Sequence, residues 1–229
     1  MTINDFNSKI KSLRPFPLLG KAYTTPDFVA LDLSVSNKAL ADVNISNSDV
    51  LESFIWNHIQ INNAKIAHGG YIEKRGIYNR SEHFNKQNLE TERNIHLGLD
   101  LWIEVNSPIY APLEGTLHSF NNNSNYGDYG PTLILKHQVE GFTFYTLYGH
   151  LSLSSLKNKV KGSSVKKGQQ IATLGSAKVN GDYPPHLHFQ VIIDIQNYEG
   201  DYPGVSSLKD LDFYKANCPN PKYFFNGVL

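Results

Sequence analysis

The residues of this 229-residue chain that could do chemistry are mainly histidines, and His186 and His188 are the most informative pair. They lie at the start of a strongly apolar run, residues 187–195, whose composition predicts a β-strand. Successive side chains of a strand point to opposite faces, so the two imidazoles would share one face, about 6.6 Å apart. Gln190 would continue that face. Both imidazoles could approach one metal ion, or one could bind the ion while the other handles protons.

A second pair, His96 and Asp100, is separated by four positions with Gly98 midway. In a straight strand these side chains would be about 13 Å apart, too far for one ion with ligand bonds of about 2 Å. Glycine adopts backbone angles closed to other residues, so a bend at Gly98 would bring the two side chains together. His96, Asp100 and one histidine of the 186/188 pair could then bind Zn²⁺ and leave a fourth position for water.

Such a site also needs a group that accepts and returns a proton. The sequence has no His-Glu-x-x-His motif, so no glutamate is built into a ligand helix as a general base. The remaining candidates are His150 and whichever member of the 186/188 pair is not a ligand, because imidazole exchanges protons near neutral pH. We expect the other histidines to be ordinary surface or packing residues; these are His58, His68, His83, His118 and His137.

Composition excludes several classes of protein. Lys+Arg and Asp+Glu are both 21, and this zero net charge argues against a nucleic-acid partner. The single cysteine, Cys218, excludes an internal disulfide framework and a cysteine-based zinc site. No apolar run approaches the ~20 residues of a membrane helix, and residues 1–21 contain no signal peptide. We therefore expect no membrane segment, and either a cytoplasmic location or a leader that lies outside the given sequence.

The elements that must position these residues are predicted to be mainly β. Short apolar runs separated by turns favour an antiparallel sheet domain over residues 93–195. Its predicted strands cover residues 99–105, 108–113, 115–120, 132–136, 142–148, 168–174 and 187–195.

The flanking regions differ from this domain. Residues 1–92 predict an α+β N-terminal extension with a short helix over 7–13 and a strand over 28–35. A helix is predicted over residues 49–60, with Asp49 as its cap. The polar and aromatic residues 196–229 are expected to wrap the domain as an extended C-terminal segment.

Four motifs occur in an order that resembles the lysostaphin-type zinc metallopeptidases, peptidase family M23 with its LytM-like domains. The resemblance covers about residues 93–195 and rests on His96-Leu97-Gly98-Leu99-Asp100, Tyr148-Gly149-His150-Leu151-Ser152, Lys167-Gly168-Gln169-Gln170-Ile171 and His186-Leu187-His188-Phe189. It implies one Zn²⁺ ion held by His96, Asp100 and His188, with His150 and His186 handling protons. It also implies cleavage of the peptide crosslinks of bacterial cell walls.

The sequence departs from the family pattern in three respects. Gln190 stands where the family often has glutamate, and its place on the ligand face predicts that it contacts a ligand rather than the ion. The loop over residues 178–185 is long and is expected to border and narrow the cleft. Family members usually act in the periplasm or outside the cell, whereas this sequence has no export signal.

These observations favour a zinc-dependent endopeptidase acting on peptidoglycan peptides or on another peptide substrate. Two alternatives stay open: a cytoplasmic hydrolase of small peptide-like substrates, and a non-catalytic regulator that binds murein. Residues 1–92 are long enough to cover the cleft as a lid, and an Asn or Asp from them could fill the open metal position. The sequence leaves the oligomeric state undetermined.

Overall fold

The fold is mainly β, as predicted. A computed structural model describes residues 3–81, 84, 88 and 90–229, so His83 lies outside the described residues. The helices are α1 (Ile3–Ser12), α2 (Ser48–Ile61) and α3 (Leu211–Asn217). The strands are β1 (Phe28–Ala30), β2 (Ile66–Gly69), β3 (Glu73–Lys74), β4 (Arg93–His96), β5 (Leu99–Trp102), β6 (Pro108–Tyr110), β7 (Gly115–Asn123), β8 (Gly130–Val139), β9 (Phe142–Gly149), β10 (Ser164–Val165), β11 (Gln170–Thr173), β12 (His186–Ile192) and β13 (Val205–Ser207).

Among the described residues, eight strands form the main sheet in the order β1-β2-β5-β12-β9-β8-β7-β10. All neighbours in it are antiparallel except β1 and β2, which are parallel. Two small antiparallel sheets, β11-β6 and β13-β4-β3, flank it. The main sheet therefore extends beyond the predicted domain, because β1 and β2 come from the N-terminal extension.

Strand β12 is central in this sheet, and every one of its residues is buried. Its alternate residues Leu187, Phe189 and Val191 enter the main hydrophobic core. Phe6 and Ile10 of α1 and Phe224 near the C-terminus pack into the same core, so both ends of the chain cover one face of the sheet. The opposite face of β12 is left for its polar residues.

Helix α2 lies near that polar face. It buries Leu51, Ile55 and Ile59, which recur every four residues as a helix face requires. The predicted cap was wrong: Asn47 precedes the helix, and its side chain accepts a hydrogen bond from the backbone N–H of Val50. Because Asn47 occupies the N-cap position and its side chain accepts a hydrogen bond from one of the free N–H groups of the first turn, Asp49 lies inside that turn and does not cap the helix.

Two further predictions about the flanking regions were too simple. The strand expected over residues 28–35 ends at Ala30, because pairing with β2 stops at His68. The C-terminal segment is not only extended: it contains β13 and α3, and β13 pairs with β4 in a small sheet. No helix among the described residues is long and apolar enough to cross a membrane.

Candidate metal centre

The polar face of β12 meets β5 and β9 at one point of the sheet. His188 lies opposite Asp100 of β5 on one side and opposite Gly149 of β9 on the other. His150 follows directly after Gly149, where β9 ends. The register of three antiparallel strands therefore places four of the predicted site residues together, since His186 shares the face of His188.

His96 reaches this point because the chain changes sheets between β4 and β5. His96 ends β4 in the small sheet, and Asp100 belongs to β5 in the main sheet, with Leu97 and Gly98 as the connection. The chain thus bends where the glycine predicted it, and the imidazole Nε2 of His96 lies 3.3 Å from Oδ1 of Asp100. A Cβ at Gly98 would lie 2.5 Å from Cε1 of His188, so the residue also leaves room for that imidazole.

Three possible ligand atoms converge at the bend. His188 Nδ1 is 3.2 Å from Asp100 Oδ1 and 2.8 Å from His96 Nε2. All three residues are buried, and their ligand atoms lie within 4.8 Å of one another. The set of two imidazoles and one carboxylate is a donor set that zinc accepts.

The outer hydrogen bonds of both imidazoles direct lone pairs toward this point. His96 Nδ1 donates to the backbone carbonyl of Gly70 at 2.9 Å, because a carbonyl can only accept. Gln190 donates through its Nε2 to the Pro203 carbonyl, so its Oε1 accepts from His188 Nε2 at 2.9 Å. In the neutral form of each ring, the inner nitrogens, His96 Nε2 and His188 Nδ1, are then the ones with a free lone pair.

The charges of the cluster fit a cation. Oδ1 of Asp100 is buried and has no hydrogen-bond partner among the described residues. Burial opposes ionisation of Asp100, but the neighbouring His96 and Arg75 outweigh it and hold its pKa well below the usual range. Burial, and then the charge of Arg75, lower the pKa of His96 to about 4. A buried carboxylate oxygen without a hydrogen-bond partner among the described residues, beside imidazole nitrogens, is a site that a cation would satisfy.

His150 and His186 form a second pair beside the ligand cluster. His150 Nδ1 donates to the Asn180 carbonyl and His186 Nδ1 to the Pro184 carbonyl, each at 2.7 Å. Both Nε2 atoms are therefore available as proton acceptors, and the two rings lie 4.2 Å apart between centroids. Burial lowers the pKa of both imidazoles, so they are neutral at pH 7.

The cavity in front of these residues has a volume of about 190 Å³ and is lined by several parts of the chain. Aromatic side chains, among them Tyr78, Trp102 and Tyr183, line it. Tyr183 and Pro184 belong to the loop 178–185, and its predicted position at the cleft is confirmed. The five site residues His96, Asp100, His150, His186 and His188 are each no more than 5% exposed.

The site contains an arginine that was not predicted from the sequence. The guanidinium of Arg75 donates from Nη1 to Oδ2 of Asp100 at 2.6 Å. We expected that an Asn or Asp of residues 1–92 could fill an open metal position; among the described residues of this segment, Arg75 contacts the cluster instead. Arg75 lies in a polar stretch without periodicity, so no pattern in the sequence pointed to it; in the structure it pairs with Glu73.

Fold and site together define a β-sheet domain that carries a two-histidine, one-carboxylate metal cluster. Residues 94–199 match peptidase family M23. The match covers the region in which the four motifs resemble this family.

Individual relatives each match a little under half of the chain. An uncharacterized metalloprotease of Haemophilus influenzae is 32% identical over 115 residues, which are 49% of this chain and 22% of the relative. The peptidoglycan DD-endopeptidase ShyA of Vibrio cholerae is 32% identical over 99 residues, 43% of this chain and 20% of the relative. The chain thus spans about a fifth of the length of these relatives. The catalytic domain of lysostaphin from Staphylococcus simulans superposes with a TM-score of 0.40 at 23% identity, covering 68% of this chain and 96% of that domain.

Proposed function

We propose that this chain is a zinc-dependent endopeptidase that hydrolyses peptide bonds in the peptide crosslinks of peptidoglycan. The observation that carries the proposal is the convergence of three possible ligand atoms, from His96, Asp100 and His188, on one buried point, with the outer imidazole nitrogens hydrogen-bonded away from it. One Zn²⁺ ion bound there would polarise a carbonyl group and lower the pKa of water. Residues 93–195 would form the catalytic unit, with residues 1–92 and 196–229 packed around it.

His150 and His186 would move the protons of the reaction. Each holds a protonated Nδ1 on a backbone carbonyl, so its Nε2 can accept a proton from attacking water and later give one to the leaving amine. Once protonated, an imidazole also stabilises the oxyanion that forms on the scissile carbonyl. The carbonyls of Asn180 and Pro184 fix both ring orientations, which limits the reorganisation that proton transfer requires.

The substrate class is supported by the relatives. ShyA and ShyC of Vibrio cholerae are peptidoglycan DD-endopeptidases, and ShyC is 31% identical over 118 residues, 50% of this chain and 24% of that protein. Zinc in particular is supported by the donor set, because two imidazoles, a carboxylate and an open position are typical of catalytic zinc sites. A peptidoglycan substrate would put the site of action in the cell envelope.

The test is digestion of purified murein, followed by mass spectrometry of the products, with and without a chelator. We expect one zinc per chain by elemental analysis and cleavage that stops on chelation. His188→Ala should lose zinc and cleavage together, whereas the matched control His118→Ala, on strand β7 outside the cluster, should keep both. Full cleavage by the metal-free protein would refute the proposal. Retained murein binding without zinc or hydrolysis would favour the non-catalytic regulator.

The size of the cavity favours a second candidate, a hydrolase of small soluble peptides. A cavity of about 190 Å³ holds a short peptide more readily than a strand of a crosslinked polymer. Assays on intact sacculi and on soluble muropeptides separate the two candidates. Cleavage of the soluble peptides alone would support the second.

A further inference from the structure

The ligand cluster receives its outer contacts from a segment that precedes the M23 region. Strand β3 pairs with β4, which places Glu73 opposite the ligand His96. Gly70 accepts the hydrogen bond of the His96 imidazole, and Arg75 binds the Asp100 carboxylate. These three residues lie outside residues 94–199, so the match to the family does not account for them.

Arg75 is held rigidly on both sides. Its Nη1 contacts Oδ2 of Asp100 at 2.6 Å, and its Nε contacts Oε2 of Glu73 at 2.5 Å. The guanidinium also lies over the ring of Trp102, 5.6 Å from the centroid. The side chain is 5% exposed, and this burial strengthens both ion pairs relative to pairs in water.

Gly70 allows the guanidinium to lie there. A Cβ at this position would be 1.8 Å from Nη2 of Arg75 and 2.9 Å from Nδ1 of His96. Gly70 also has φ +101°, a backbone conformation that side-chain-bearing residues rarely adopt. The absence of a side chain at Gly70 therefore leaves room for both the guanidinium of Arg75 and the imidazole of His96.

We propose that Arg75 is a positioning residue for the metal cluster, which holds Asp100 by one oxygen so that the other faces the two imidazoles. The inference rests on the proposed function. The two carboxylate oxygens differ in the way it requires: Oδ2 accepts a hydrogen bond from Arg75, whereas Oδ1 faces the imidazoles of His96 and His188 and accepts no hydrogen bond from the described residues. An orienting partner of a ligand typically contributes a factor of about 10–100 to metal affinity.

A guanidinium could instead weaken the site by repelling a cation. Glu73 opposes that effect, because its carboxylate neutralises the charge of Arg75 next to the cluster. The pair Glu73–Arg75 adds no net charge to the cluster. The main effect of Arg75 on the metal site is therefore to orient the carboxylate of Asp100. Residues 70–75 are by this reasoning part of the metal site, whether or not residues 1–92 also cover the cleft.

The experiment measures zinc affinity of the full chain by competition with a chromophoric chelator, together with the visible absorption spectrum of the cobalt-loaded protein. Arg75→Met keeps the length of the side chain and removes the charge. Arg80→Met is the matched control, because Arg80 is equally buried in the same segment and pairs with Asp182, which is not a ligand. We expect Arg75→Met to bind zinc about 10–100-fold more weakly with an altered cobalt spectrum. Arg80→Met should match the wild type in both.

Each outcome of these measurements either supports or overturns the positioning role of Arg75. Unchanged affinity and spectrum in a folded Arg75→Met overturn the proposal, as does an equal loss in Arg80→Met, which would indicate general destabilisation. If Arg75→Met does not fold, the zinc affinities of Arg75→Lys and Arg80→Lys are compared instead. Lysine cannot reproduce the two-sided contact of a guanidinium, so a loss confined to Arg75→Lys supports the proposal and equal affinities overturn it. A wild-type chain that binds no zinc refutes the proposed function as well, whereas tight zinc binding in both wild type and variant refutes only the role of Arg75.

Discussion

Replacing Gly98 by alanine should weaken metal binding while the chain still folds. Gly98 does not have a φ in the left-handed region, so the penalty that such a φ imposes on alanine does not apply there. The added Cβ would lie 2.5 Å from Cε1 and 2.6 Å from Nε2 of His188. One methyl group is thus directed at the imidazole of a proposed ligand.

The size of the effect follows from these distances. Carbon atoms in contact lie about 3.5–4.0 Å apart, so the imidazole must move by about 1 Å. Zinc–nitrogen bonds of about 2.0–2.1 Å tolerate only about 0.2 Å. We expect zinc affinity to fall about 100-fold, the upper end of the range for indirect partners, because a ligand itself moves. This corresponds to about 2.7 kcal/mol of binding free energy.

The assay compares zinc affinity by chelator competition with unfolding in urea for the metal-free protein. Gly76→Ala is the control: Gly76 has φ −79°, and its Cβ would be 3.2 Å from Cδ1 of Ile45, far from any imidazole. Crowding in Gly98→Ala should destabilise the metal-free fold by about 1–3 kcal/mol. If Gly98→Ala bound zinc as tightly as Gly76→Ala, the reasoning from the imidazole position would be refuted.

The cluster was predictable from sequence where it depends on local rules. Alternation along a strand is enough to direct His186, His188 and Gln190 to one face, and the structure has them there. The glycine between His96 and Asp100 indicated a bend, and the chain changes sheets at that point. Both inferences use only neighbouring residues, which is why a single sequence supports them.

The contribution of Arg75 depends on contacts between distant parts of the chain. Its partner Asp100 is 25 positions away, and the pairing of β3 with β4 brings them together. Nothing in the polar stretch around Arg75 has a period that predicts this pairing. The addition of β1 and β2 to the main sheet was missed for the same reason, because the edge at which a short strand pairs is decided by tertiary packing.

The C-terminal segment illustrates a third limit. Helix α3 is only seven residues long, and such a helix is marginal by itself. It forms where the chain packs against the domain: Asn217 at its end donates to the Asp194 carbonyl and the Tyr202 hydroxyl. Sequence reasoning saw aromatic residues and prolines there and predicted an extended wrap, because helix propensity alone does not indicate such support.

Three further predictions follow from individual contacts. Asn47→Ala should lower the free energy of unfolding by about 1 kcal/mol in urea titrations because it removes the cap of α2, whereas Asp49→Ala should cost only a few tenths; equal losses would contradict this assignment. Gln190→Ala removes the acceptor of the His188 Nε2 hydrogen, and zinc affinity by chelator competition should fall about 10-fold; an unchanged value would mean that the hydrogen bond does not orient the ligand. Burial lowers the pKa of His137 to about 4. In the unfolded chain this imidazole binds a proton below about pH 6.5, whereas in the folded chain it binds one only below about pH 4. The free energy of unfolding therefore falls as the pH is lowered from about 6.5 to about 4. His137→Gln should flatten the decline by up to about 3 kcal/mol in urea unfolding measured across the window, and an equally steep decline in the variant would show that other groups cause it.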